Sequence, residues 1–270
     1  MKTSFILICL VLTSHINLAQ QTQRDTLYSL QSEYFSETRF VSVHLPEEFT
    51  AEDTLPVVYY FDAQWEPYRN LTHSIIDYLT AIHAFEKSIV VGIHNVNRQY
   101  ELTPEPVNED WKMPSLGGAA LLENHLLEEV IPLIEMHYAV SDYRTGIGHS
   151  LGGTFVLNSL IDAPELFHAS IAVSPNLQLD EEEIALKIIR NVAQLSTSKK
   201  FVYASMGTDG QPDTDFLPSL EKLNAIMKLL NETDFQWNFQ LQAGDNHGTT
   251  PLTSIPQALQ LLHQFQQSLK

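Results

Sequence analysis

Gly148-His149-Ser150-Leu151-Gly152, followed by Gly153, spells G-x-S-x-G within a chain of 270 residues. The spacing suits a nucleophile. A serine at the tip of a sharp strand-to-helix turn exposes its Oγ, and bulk two residues to either side would collide inside the bend. A helix starting at Ser150 also aims free N–H groups and the positive end of its dipole at developing negative charge. The chemistry expected of such a turn is acyl transfer. A serine hydroxyl is a weak nucleophile near neutral pH and needs a base, and eleven histidines are on offer. Position selects among them, because reactive groups in parallel sheets gather beyond the carboxyl ends of strands. His247, in Gly244-Asp245-Asn246-His247-Gly248, follows the last predicted strand and precedes the last predicted helix. It comes 97 residues after Ser150, in the chain order serine, acid, histidine. His149 adjoins the nucleophile but points away from it on such a turn, and is expected to form a wall. His44, His73, His83, His125, His137 and His168 fall inside predicted elements, where packing or surface roles are expected.

The base needs a carboxylate to fix its tautomer and to stabilise its cation. Asp209, in Met206-Gly207-Thr208-Asp209-Gly210, stands at the right strand end and the right place in the order. Asp213, Asp215 and Asp245 are close enough to compete. Acyl transfer also needs two N–H donors for the oxyanion. Leu151, next after the nucleophile, supplies one from its backbone. The second is expected from the loop Asp62-Ala63-Gln64-Trp65, with Gln64 chosen on position. No pair of histidines shows the i, i+4 spacing with an intervening glutamate, so neither a metal nor a cofactor is expected.

Elements that could hold these groups alternate along the chain. Residues 40–45 alternate apolar and polar at period two, as a half-buried strand does. Residues 56–61 and 88–93 are continuous β-branched or aromatic runs, suited to strands buried on both faces. Further strand signals lie at 143–147, 168–173, 200–205 and 235–241. Helical spacing marks 70–85, 116–138 (with a break expected at Pro132) and 253–269. The order predicts one α/β domain with a mostly parallel central sheet covered by helices on both faces. Residues 95–115, with Pro104, Pro106 and Pro114, form the one long irregular segment, and its Tyr100 and Trp111 are candidates for an acyl or aromatic wall. Arg69, Arg98 and Arg144 are cations that could face a pocket.

Composition sets outer bounds. Hydrophobic residues make up 44% and charged residues 18%, which is ordinary globular usage. Fifteen basic residues against thirty-three acidic ones give a net charge of −18, so nucleic acid and anionic membranes are disfavoured as partners. Lys2 followed by the apolar run 5–12 reads as a signal peptide over 1–19, leaving the domain at 20–270 and placing the protein in the periplasm or outside the cell. The single cysteine, Cys9, lies within that leader, which excludes an internal disulfide. The expected partner is a small-molecule or carbohydrate ester. A neutral acyl or aryl group is favoured over a polyanion.

These residues resemble a known group, the esterase D / enterochelin-esterase-like branch of the α/β-hydrolases, the Putative esterase family. The resemblance is carried by residues 39–46 and 55–62, by Val91-Gly92-Ile93-His94-Asn95 with Arg98 and Leu102-Thr103-Pro104, by residues 143–153 and by 167–175. It implies a single-domain α/β-hydrolase fold and hydrolysis of carboxylic esters, such as feruloyl or acetyl esters of polysaccharides, siderophore lactones or small thioesters. It further implies Ser150 as nucleophile, His247 as base, and Leu151 with Gln64 as oxyanion donors. Two departures stand out: Asp62-Ala63 where the family often has Asp-Gly, and Gly210 at the position many members give to the acid. Some relatives work with a Ser–His dyad.

Overall fold

The computed structural model describes residues 24–230 and 234–269; the expected signal peptide at 1–19 lies outside the described residues. Eight strands, β1 (Asp25–Gln31), β2 (Thr38–His44), β3 (Leu55–Phe61), β4 (Ile89–Ile93), β5 (Val140–His149), β6 (Ala169–Val173), β7 (Phe201–Gly207) and β8 (Gln236–Gln242), make one sheet in the order β1-β2-β4-β3-β5-β6-β7-β8. From β4 across to β8 every pairing is parallel, and β1 and β2 close the other edge antiparallel. The helices among the described residues are α1 (Glu66–Ala81), α2 (Arg98–Glu101), α3 (Ala119–His125), α4 (Ile131–His137), α5 (Leu151–Asp162), α6 (Leu179–Arg190), α7 (Val192–Leu195), α8 (Asp213–Met227) and α9 (Thr250–Ser268).

Strand β3 shows why its sequence is a continuous apolar run. Successive side chains point to opposite faces, so Val57, Tyr59 and Phe61 pack with α3, α4 and α5, while Val58 and Tyr60 pack with α1 and α9. A third cluster joins β6 and β7 to α5, α6 and α8. Helices therefore cover both faces, as a parallel sheet requires. The aromatic end of β3 reaches the site, where Phe61 meets Phe155 of α5 edge-on at 4.8 Å between ring centroids.

Two features differ from the pattern read in the sequence. Strand β1 carries no strong apolar signal, because an edge strand buries only one face: its residues alternate between exposed and half-buried, and Leu27 is among the exposed ones. The expected helix at 116–138 is three pieces, α3, a π-helical turn at Leu126–Val130, and α4. Pro132 sits in the first turn of α4, where its missing N–H matters least, and the wider preceding turn absorbs the break.

One buried acid makes this packing depend on pH. Glu123 of α3 is buried beside Asp162 and Asn158 of α5, and burial, then the Asp162 charge, push its carboxyl up to about 8. The folded protein therefore keeps a proton that the unfolded chain loses near pH 4.5. The stability tied to that proton is complete below pH 4.5 and drains away as pH rises through 8. Glu123→Gln should accordingly raise Tm at pH 8 and leave it nearly unchanged at pH 4, as scanning calorimetry at the two pH values would register.

Candidate active site

Ser150 occupies the junction between β5 and α5 with φ 58° and ψ −123°, the left-handed, strained backbone expected of a nucleophile turn. Its N–H is held by the Val173 carbonyl at 2.9 Å, and its carbonyl accepts the Thr154 N–H at 3.0 Å, so strand β6 and helix α5 both clamp the bend. The glycine at 148 is obligatory: a Cβ there would lie 2.0 Å from the Gly152 carbonyl oxygen.

The loop after β8 brings His247 to the same cleft, whose lining is Asp62, Gln64, Trp65, Tyr68, Arg98, His149, Ser150 and His247 around about 320 Å³ of space. His247 Nδ1 lies 2.6 Å from Asp213 Oδ1. Asp213 is fully buried, and its other oxygen accepts hydrogen bonds from the Gly207 N–H (2.9 Å), Ser174 Oγ (3.0 Å) and Thr250 Oγ1 (3.2 Å). Burial alone would raise this carboxyl. The bonds from His247, Ser174 and Gly207 outweigh that and hold it below the usual carboxylate range. A carboxylate accepting so many donors stays ionised and orients the imidazole, so His247 donates from Nδ1 and keeps Nε2 free. Gly207 is what lets the acid approach, since a Cβ at that position would stand 2.5 Å from Asp213 Oδ2.

The expectation that Asp209 is the partner of His247 is corrected here. Asp209 is exposed, and its backbone N–H donates to the Asp245 carbonyl at 2.9 Å, away from the imidazole. The loop leaving β7 runs out to Pro212 before turning back, so the inward carboxylate is the first residue of α8 instead. The remaining competitors have other tasks: Asp215 is exposed and accepts from Gln211, and Asp245 ties Thr249 and Thr253 at the start of α9.

The backbone N–H groups near Ser150 can be accounted for one by one. In the loop after β3, Asp62 N–H donates to Asn95 Oδ1, Ala63 N–H to the Ile93 carbonyl and Trp65 N–H to the Asp62 carbonyl. That leaves Gln64 N–H with no partner among the described residues, at a residue lining the cleft. The Leu151 N–H, at the first turn of α5, is likewise unpaired among the described residues. Free donors at these two places are what an oxyanion requires.

Gln64 is fixed by a buried network that the sequence does not announce. Its Oε1 accepts the Asn95 N–H at 2.9 Å, and Asn95 Nδ2 donates to Glu101. Glu101 pairs through both oxygens with the fully buried Arg39, at 2.9 and 2.6 Å, and also accepts the N–H groups of Val96 and Asn97. Removing the charge of Glu101 would leave the buried guanidinium with only the part-exposed Glu37 as counter-ion, at 2.7 Å, so Glu101→Gln should cost about 3 kcal/mol of unfolding free energy, readable by urea titration.

His149 is a wall, as expected. Its Nε2–H donates to the His247 carbonyl at 2.8 Å, and burial together with the neighbouring His247 lowers its pKa to about 4, leaving it neutral. The aromatic wall, by contrast, is not built from Tyr100 and Trp111. Trp65 and Tyr68 supply it, their rings stacked within 11° at 6.3 Å, while Tyr100 packs over Gly118 behind the loop. Of the three candidate arginines only Arg98 lines the cleft, braced by Asp62 Oδ1 at 2.8 Å and the His149 carbonyl at 3.2 Å. Arg69 donates to the Ala63 carbonyl and Arg144 to the carbonyls of Glu165 and Leu166.

A family model described as Putative esterase matches residues 32–247, which is most of the chain. The chain belongs to the Putative esterase family. A segment of 90 residues is 37% identical to the ferri-bacillibactin esterase BesA of Bacillus subtilis (strain 168), covering 33% of this chain and 30% of that relative's length. Among solved structures, an IroE-like serine hydrolase from Shewanella oneidensis superposes with a TM-score of 0.77 at 20% identity over 89% of this chain and 80% of that one. The BES protein from Bacillus cereus gives 0.76 at 18% identity over 96% and 99%. At such identities the likeness concerns architecture, and the esterase family chain has the α/β-hydrolase fold in a single domain.

Proposed function

We propose that the chain is an exported serine esterase that cleaves carboxylic esters through Ser150, His247 and Asp213 by way of an acyl-enzyme. The observation carrying this reading is the 2.6 Å contact between His247 Nδ1 and the fully buried Asp213, made in the cleft that Ser150 lines. With Nδ1–H committed to the carboxylate, Nε2 is the nitrogen able to take the Ser150 proton as Oγ attacks the ester carbonyl. The tetrahedral oxyanion is stabilised by the Leu151 and Gln64 N–H groups. Collapse expels the alcohol, which takes its proton from His247. Water, deprotonated by the same imidazole, then releases the acid and restores Ser150.

Trp65 and Tyr68 offer a flat apolar platform beside the nucleophile, which favours an aryl-bearing ester. Arg98 favours a second reading, a siderophore ester, because its guanidinium, although charge-matched by Asp62 in the same cleft, offers N–H donors to the oxygen atoms of a hydroxylated aryl group. Such a substrate also agrees with what the name of the Bacillus subtilis relative describes.

Hydrolysis rates on a panel of p-nitrophenyl alkanoates, feruloyl esters, acetylated sugars and a siderophore trilactone, with and without iron, test both readings. Highest kcat/KM on feruloyl esters supports the neutral aryl reading, and highest kcat/KM on the ferric trilactone supports the second. Absence of turnover on every ester, together with failure of a fluorophosphonate to add to Ser150, would overturn the enzymatic reading altogether.

A further inference from the structure

The turn after β3 that carries the Gln64 N–H is held from outside the cleft. The Trp65 N–H donates to the Asp62 carbonyl at 3.0 Å, so residues 62–65 form a β-turn with Ala63 and Gln64 at its centre. The peptide joining those two residues is trans, and in a trans peptide the carbonyl and the N–H point in opposite directions. Whatever holds the Ala63 carbonyl therefore aims the Gln64 N–H. The holder is Arg69, in the first turn of α1, whose Nη1 donates to the Ala63 carbonyl at 2.9 Å. Helix α1 brings Arg69 within reach because it starts at Glu66, directly after the turn, and the Arg69 N–H donates to the Trp65 carbonyl at 3.0 Å. Arg69 is not part of the lining of the Ser150 cleft. With Asn70, His73 and His94 it bounds a second cavity of about 440 Å³. The Ala63 carbonyl is drawn to that side, and the N–H of Gln64, which lines the cleft, is aimed the other way.

We propose that Arg69 is a positioning residue for the oxyanion site, acting through the Ala63–Gln64 peptide without touching substrate. The inference rests on the serine-esterase reading, with Gln64 as one of the two N–H donors. Two effects follow from the one bond. Turning over the central peptide of a β-turn converts one turn type into another, and that motion would carry the Gln64 N–H out of the site. A guanidinium on the carbonyl opposes it. A charged donor also polarises the amide it binds, which strengthens the N–H at the other end. The other bonds to the turn do not replace this one. Asn95 Oδ1 accepts the Asp62 N–H and the Ile93 carbonyl accepts the Ala63 N–H, so both act on the preceding peptides and leave the central one to Arg69. Nor does a carboxylate compete for the guanidinium, since Arg69 forms no ion pair among the described residues. Asp25, which bounds the same cavity, pairs with His44 at 2.8 Å instead.

The test compares the whole chain with three variants at this position, on one p-nitrophenyl ester and one trifluoromethyl ketone. Ser150 Oγ adds to the carbonyl carbon of the ketone and leaves a negatively charged oxygen among the same N–H donors. Arg69→Ala should lower kcat about 10- to 100-fold with KM nearly unchanged, a smaller loss than deleting an oxyanion donor outright. Affinity for the ketone should fall by the same factor as kcat/KM. Arg69→Lys keeps a charged donor and should recover part of both. Arg69→Met keeps the apolar stem and should behave as the alanine variant does, so the test stands if alanine at this position fails to fold. A merely structural role would lower Tm and leave kcat and ketone affinity in place. That result, or a lysine variant no more active than the alanine or methionine one, would overturn the proposal and leave the esterase reading standing. Absence of turnover by the unaltered chain would sink that reading, and this inference with it.

Discussion

Asp213→Asn is expected to lower kcat for ester hydrolysis by about 10,000-fold, while Asp209→Asn leaves it essentially unchanged. The amide retains the size of the carboxylate and can still sit against Ser174 and Thr250. It cannot hold His247 in the tautomer with hydrogen on Nδ1, nor offset the positive charge that forms when the ring takes the serine proton. The loss should therefore appear in kcat more than in KM, and should shrink as pH rises and hydroxide replaces the missing base. Steady-state kinetics of the two variants on one p-nitrophenyl ester, across pH 6 to 10, would separate the two aspartates. Equal activity of Asp213→Asn and the unaltered enzyme would leave a Ser–His dyad as the working unit.

Ser150→Ala is expected to reduce kcat/KM by roughly 10,000- to 1,000,000-fold and to eliminate fluorophosphonate labelling. The residual rate comes from binding and from the Leu151 and Gln64 donors, which alanine leaves in place. Folding should be little affected. Alanine at φ 58° suffers the same backbone strain as serine, and no side-chain hydrogen bond of Ser150 is lost among the described residues. A Tm within a few degrees of the unaltered chain, alongside the loss of turnover, would assign the effect to the missing oxygen rather than to a misformed turn.

Much of this arrangement could be read from residue types. The run 56–61 announced a strand buried on both faces because β3 is one, and Gly148 announced the turn because a Cβ there would collide with the backbone of Gly152, whereas Gly152 itself has room for one. His247 was recognisable from the strand before it and the helix after it. The carboxylate was harder. Several acids crowd the loop after β7, and which one turns inward depends on Gly207 leaving space and on Ser174 and Thr250 offering hydrogen bonds from other elements. None of that is local in sequence. The same holds for the aromatic wall: Trp65 and Tyr68 face Ser150 only because α1 begins where it does at the end of β3, whereas the aromatic residues of the 95–115 loop are turned elsewhere. Edge strand β1 went unseen because a strand wetted on one face needs few apolar residues.

The order in which the cleft is assembled has a consequence for the life of the chain. Synthesis proceeds from the amino end, and Ser150 is made long before the segment after β8 that carries its base. On the proposed assignment, a nascent chain lacking that last stretch carries Ser150 without its base. Hydrolytic power on that assignment therefore depends on the stretch of chain made last, the loop before α9 that carries His247 into the cleft.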